Sequence, residues 1–169
     1  MEPIPRSREW PAPGLDLLGS VIAFLDFVNV TAVNKLEGLT DQQARATPVA
    51  SSPALSLLGL VKHLTAVQRQ HIQIHLGGRP LPSLWDAGDL DADFRLGPDE
   101  TIAGVVQAFD DECARSRATL AGLDPQAEVL TYGEPNRAGR VLVDVLQECA
   151  RHLGHLDLVR ELLDGAKGE

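Results

Sequence analysis

A chain of 169 residues suits one domain and can bury a core without disulfides or a structural metal. Aromatic residues make up only 4% of it, so the core must come from Leu, Val, Ile and Ala, which suits packed helices better than a β-sandwich. The net charge is −9 and the basic residues are scattered singly; this argues against a nucleic-acid face and against an anionic membrane surface.

Cys113 and Cys149 stand apart, outside any CxxC pattern, and read as free thiols of a reducing compartment. The N-terminus is polar and Pro-rich rather than signal-like. No apolar run approaches the ~20 residues of a membrane span. The expected location is the cytoplasm.

In chain order, residues 1–14 read as an arm, because Pro3, Pro5, Pro11 and Pro13 cannot seed a helix interior. Residues 15–166 then form one helical domain. Leu17, Leu18, Val21, Ile22, Leu25 and Val28 recur at three- and four-residue spacing, predicting a first helix that stops near Gly38. Thr40 to Gln43 has the form of a capping box for a short turn of helix, which Pro48 ends. Ser56 is a good N-cap for a second long helix carrying Leu57, Leu60, Val61, Leu64, Val67 and Ile74 and ending at Gly77-Gly78.

About twenty irregular residues follow, with Trp85 in their midst as a loop anchor or a cover for a ligand. Pro98-Asp99-Glu100-Thr101 predicts the acidic first turn of a third helix that stops near Gly122. A polar loop leads to a fourth helix from about Arg140 to Leu163, closed by Gly165. No strand pattern alternates. The expectation is all-α: a four-helix bundle whose long second-to-third connection permits an up-down-down-up order, the alternative being up-down-up-down with a floppy loop.

In the fourth helix Asp144, Glu148 and His152 follow one another at four-residue steps, and His155 comes three later. Such residues share a face, and two ligands on adjacent turns can hold one metal. His63 stands among Leu60, Val61, Leu64 and Val67 in the second helix, so it should face the bundle or its edge. His63, Glu148 and His152 together make a two-His, one-carboxylate set with open positions for water or substrate.

The bland reading of the Glu148–His152 spacing is a solvated face or an ion pair, and that of His63 a hydrogen-bonded partner at a core edge. His155 competes for ligand status. His71 and His75 read as surface. Cys113, among Asp110, Asp111 and Glu112, is a poor thiolate, and Cys149 reads as packing. Arg79, Arg95, Arg137 and Arg140 flank loops, open to an anionic substrate or to solvent.

The segment Ser56 to His63-Leu64, SLLGLVKHL, resembles the second-helix signature of actinobacterial mini-circle proteins, the mycothiol-transferase-like branch of the DinB/YfiT-like superfamily. Glu148 to Gly165, ECARHLGHLDLVRELLDG, is similar to that branch's last helix. Leu84-Trp85-Asp86, the Asp-rich loop and Arg95 to Thr101 fit as well. The resemblance covers about Leu15 to Gly165.

It implies a DinB-like up-down-down-up bundle with a divalent metal on His63, Glu148 and His152. His155 would line the pocket or back the ligands, and Asp144 stands where the branch often has another His. Gln68 and His71 stand where an acidic residue and an aromatic are common. The ion would be zinc, with nickel or iron(II) also suited.

The activity implied is a metal-dependent S-transfer from mycothiol, or a similar low-molecular-weight thiol, to a small electrophile, or an isomerisation that uses the thiol. A homodimer through helix faces is expected with it. The competing readings are a non-catalytic metal or small-molecule binding protein of stress response, and a metal-dependent hydrolase in which Asp144 or His155 moves protons.

Overall fold

The structure, a computed structural model, describes residues 4–85 and 88–168. Met1 to Pro3 of the arm and Asp86 of the expected loop motif lie outside the described residues. The chain is mostly helical. Helix α1, Leu17–Asn34, starts on Asp16, whose side chain accepts from Gly19 N–H. Helix α2, Asp41–Ala44, is the short turn that the Thr40–Gln43 capping box foretold, with both reciprocal bonds made.

Helix α3, Leu57–Val67, is capped by Ser56 and runs without a break into a π-helical segment, Gln68–Leu76. Residues 77–101 form the long connection. Helix α4 is Ile102–Leu120, and helix α5, Ala138–Asp164, ends on left-handed Gly165.

Leu57, Leu58, Leu60, Leu64, Ile72, Phe109, Leu142 and Leu156 are fully buried. At roughly 1.5–3 kcal/mol for each large apolar side chain removed from water, this core drives the assembly. α1 packs mainly on α5, and α3 lies against both α4 and α5. Buried polar groups are mostly met. Gln68 donates to Asn29 Oδ1 (3.2 Å) between α1 and α3, and fully buried Glu112 accepts from Arg69 (2.8 Å) and Arg115 (3.0 Å).

Three expectations are corrected. A two-stranded antiparallel hairpin is present, β1 (Glu128–Thr131) with β2 (Glu134–Arg137). Its two-residue turn, Tyr132-Gly133, has both φ positive (53° and 88°), the mirror-image turn that matches strand twist. Strands of four residues are too short for an alternating signal.

Secondly, Asp99 and Glu100 precede α4 rather than forming its first turn. Thr101 is the N-cap, and Asp41 reaches across to accept from Ile102 N–H at 2.7 Å. Glu100 instead accepts from Lys62 Nζ (2.9 Å) and Gly97 N–H (2.6 Å), which ties the connection to α3 and holds its carboxyl below the usual range against the opposing effect of burial.

Thirdly, α1 is by length and composition apolar enough to cross a membrane, with a mean hydropathy of 1.6 over 18 residues. Here it serves as a core helix: Leu25, Val28, Ala32 and Val33 are buried, Asn29 bonds Gln68, and Asp26 pairs with Arg117.

Candidate functional site

His63 sits on the second turn of α3 and is only 9% exposed. One face of its ring stacks on Phe94, with centroids 4.0 Å apart and planes 11° from parallel. Its Nδ1 lies 2.6 Å from Asp93 Oδ2, and Asp93 is itself buried. The hydrogen bond assigns the proton to Nδ1, which leaves the Nε2 lone pair pointing away from Asp93. That pairing is the usual support of a metal-binding imidazole, which donates its second N–H to a carboxylate.

The residues Asp93-Phe94 reach His63 because α3 carries Gly59 one turn earlier. A Cβ there would come within 2.5 Å of the Phe94 carbonyl oxygen. The connection therefore lies directly on the helix backbone, as no larger residue would allow.

From α5, His152 brings its Nε2 to 3.1 Å from His63 Nε2. Glu148, one turn earlier, has Oε2 at 3.5 Å from the same His152 nitrogen. That oxygen is buried and has no hydrogen-bond donor. Burial, helped by the charges of His63, His155 and Arg151, pushes the His152 pKa down to about 4. Its ring is neutral near pH 7, in the form that ligates metals.

His155 lies on the other edge of His152, Nδ1 to Nδ1 at 3.4 Å. It is therefore opposite the nitrogen that faces His63. Asp144 is bound by Arg140 (2.8 Å) at the surface, and its charge acts on His71.

Among the described residues no group of three or more His, Cys, Asp and Glu is gathered closely enough to define a metal site by position alone. The contacts form a chain, Asp93 to His63 to His152 to Glu148, not a closed triangle. The donor set still fits a divalent ion. Two ligand atoms each ~2.0–2.1 Å from tetrahedral zinc lie about 3.3 Å apart, and the separations here are 3.1 and 3.5 Å. One proton between the two Nε2 atoms would satisfy the imidazoles yet leave Glu148 Oε2 orphaned, beside His152 Nε2, as a cation there would not.

A cavity of about 490 Å³ adjoins His63 and Asp93 and is lined also by Gln70, Trp85, Leu90 and Tyr132. A larger one, about 790 Å³, lies between the arm, α1 and α4 and shares no lining residue with this site. Its only thiol is Cys113, whose pKa is driven far up, chiefly by burial and then by Cys149, so it offers no nucleophile. Cys149 is likewise buried and pushed up to about 12.

A family model for the Mycothiol-S-transferase family matches residues 20–165. The chain belongs to the mycothiol-S-transferase family. No curated protein matches it in sequence. Membership accords with the resemblance carried by the second and last helices, and it implies a thiol as one substrate of this mycothiol-S-transferase family member.

Two expectations are corrected at this site. His71 and His75 are not surface residues. His71 is half-buried, with its pKa lowered by burial to about 4, and His75 is buried, its pKa also lowered by burial. The π-helical segment shifts the register so that Gln70 and His75, five apart, meet at 2.9 Å.

The loop arginines do not form an anion site. Arg95 pairs with Asp89, Arg140 with Asp144, Arg137 donates to the Gln126 carbonyl, and Arg79 is exposed. Asp93 and Phe94 belong to the Asp-rich loop, whose irregular course carries no period that singles them out in the sequence.

Proposed function

We propose that this protein is a divalent-metal-dependent thiol S-transferase that joins mycothiol, or a similar low-molecular-weight thiol, to a small electrophile. The observation that supports it best is the meeting of His63 Nε2 and His152 Nε2 beside the orphaned Glu148 Oε2. These three residues would hold the ion. When bound, the ion supplies positive charge that favours the thiolate near neutral pH and an open position for sulfur.

The chain's own groups do the rest. Asp93 fixes the tautomer of His63, and Phe94 holds its ring plane. His155 orients the imidazole of His152 from its far edge. The cavity beside His63 holds the electrophile within reach and limits water there. Transfer forms a carbon–sulfur bond with the thiol's electron pair, the thiol proton passing to solvent. The electrons displaced at carbon leave with a leaving group or, in addition to a double bond, take up a proton.

The same reading carries an up-down-down-up course of the four long helices, a homodimer and a cytoplasmic setting. Zinc is the ion we assign first, then nickel or iron(II). The test is conjugate formation from mycothiol and a panel of electrophiles, assayed with metal-stripped and reloaded protein. Conjugation that needs both metal and thiol supports the reading. Turnover of esters or amides without thiol would replace it with a hydrolase, and metal binding without turnover would replace it with a binding protein.

A further inference from the structure

A row of four rings has both its ends in the wall of the cavity beside His63. Trp85 meets His71 edge-on (5.4 Å, 73°), His71 meets His75 (5.4 Å, 84°), and His75 meets Tyr132 (4.6 Å, 81°). Trp85 and Tyr132, the ends of this row, line the cavity directly. Both histidines have lowered pKa values, so the row is uncharged near neutral pH. Among the described residues that line the cavity there is no Lys or Arg. Its two carboxylates are already engaged, Asp93 by His63 and Asp89 by Arg95. An anion finds no cationic Lys or Arg there, while a flat apolar body finds the rings of Trp85 and Tyr132 to lie against.

Two further features point to a ligand. Gln70 lines the cavity, is only 7% exposed, and has one end of its amide on His75 Nε2 at 2.9 Å. The other end, Oε1, is buried without a partner. An orphaned buried amide is costly unless something else supplies the bond. With Nε2 on His75, the amide oxygen calls for a ligand group that donates, such as an amide N–H or a hydroxyl.

The second feature is Tyr132. It takes φ of 53° in the hairpin turn, a conformation that favours Asn or Gly over a ring-bearing residue. It is also 67% exposed, so burial does not hold it there. The turn carries this residue at a cost to itself, and the ring it places is a wall of the cavity.

We propose that this cavity takes a flat, uncharged substrate body bearing one amide or hydroxyl group, with Tyr132 and Gln70 as the residues that select it. This rests on the transferase reading for its meaning, since the body would belong to the electrophile, but the binding itself requires neither thiol nor metal.

The test is binding of benzamide, N,N-dimethylbenzamide and benzoate to the full chain, metal-free and zinc-loaded, by ligand-observed NMR without thiol. Benzamide should bind about tenfold more tightly than the dimethyl analogue, the worth of one buried hydrogen bond. The metal-free chain should favour benzamide over benzoate. Gln70→Leu should bring the two amides to equal affinity. Tyr132→Asn should weaken both amides several-fold while raising the thermal midpoint, because it relieves the turn.

Equal binding of the amides to the natural chain, an unchanged ratio in Gln70→Leu, preference for benzoate without metal, or no saturable binding at millimolar concentrations overturns the proposal. So does a Tyr132→Asn protein that melts lower. Benzamide selection without any thiol transfer would overturn the transferase reading alone, and transfer without this selection would overturn the present inference alone.

Discussion

Asp93, from an irregular connection, accepts the Nδ1 hydrogen of His63 at 2.6 Å and so turns the opposite ring nitrogen toward His152, 3.1 Å away. The carboxylate never reaches the other histidine's Nε2 itself. Its effect passes through the tautomer and ring plane of His63. Asp93→Asn keeps size and can still hydrogen-bond, but an amide no longer strengthens the basicity of the imidazole. Metal affinity should fall 10–100-fold, measured by competition with a chromophoric chelator, while the far-ultraviolet circular dichroism stays that of the natural chain.

Gly59 should act on the same site without touching it. Alanine is worth about 1 kcal/mol more than glycine inside a helix, so Gly59→Ala should stabilise if helix propensity decided the outcome. The new Cβ would stand 2.5 Å from the Phe94 carbonyl, and backbone there has to move. We expect the variant to bind metal at least about tenfold more weakly, because Asp93 and Phe94 shift off His63. Titration with the same chelator decides it, and unchanged affinity would show that the loop moves without consequence.

The ligand assignment separates Glu148 from His155. Glu148 Oε2 lies on the Nε2 side of His152, and His155 on the Nδ1 side. His63→Ala, Glu148→Ala and His152→Ala should each lose bound metal after dialysis, whereas His155→Ala should retain it with affinity lowered about tenfold or less. Metal analysis of the four variants measures this. Loss in His155→Ala with retention in Glu148→Ala would assign the ion to His63, His152 and His155.

Much of this site was legible in the sequence. The i,i+4 step from Glu148 to His152 is fixed by helix geometry, and the apolar neighbours of His63 point it inward, so three residues from two helices could be named. Asp93 and Phe94 could not be singled out, since an irregular connection has no period from which to read which side chain turns toward a helix. His71 and His75 lie off the surface expected for them because a π-helical stretch departs from the period that the preceding α-helix sets. The hairpin escaped for a different reason: four-residue strands around Tyr132-Gly133 offer too few positions for alternation to show. The first turn of α4 was misassigned because its acidic partner, Asp41, lies far away in sequence.

The stability should depend on pH through His71. Its folded pKa is about 4, against 6.5 for an ordinary histidine, with burial the largest cause. The unfolded chain therefore binds more protons between these two values, and this contribution to stability is complete above 6.5 and lost as pH falls toward 4. After allowance for the part of the ring that water reaches, the loss should be on the order of 2 kcal/mol. Urea unfolding at about pH 7 and about pH 4.5 measures it, and His71→Phe should reduce the difference between the two by a comparable amount.

We propose that His63, Glu148 and His152 hold an ion that accepts the sulfur of a thiol. The most direct measurement is the near-ultraviolet absorption of cobalt-loaded protein during titration with mycothiol. A sulfur-to-cobalt charge-transfer band should appear that saturates, persists in His155→Ala and is absent from His63→Ala. A fully loaded protein that shows no such band, or a His63→Ala protein that keeps it, would mean that the three residues do not hold a thiol-binding ion.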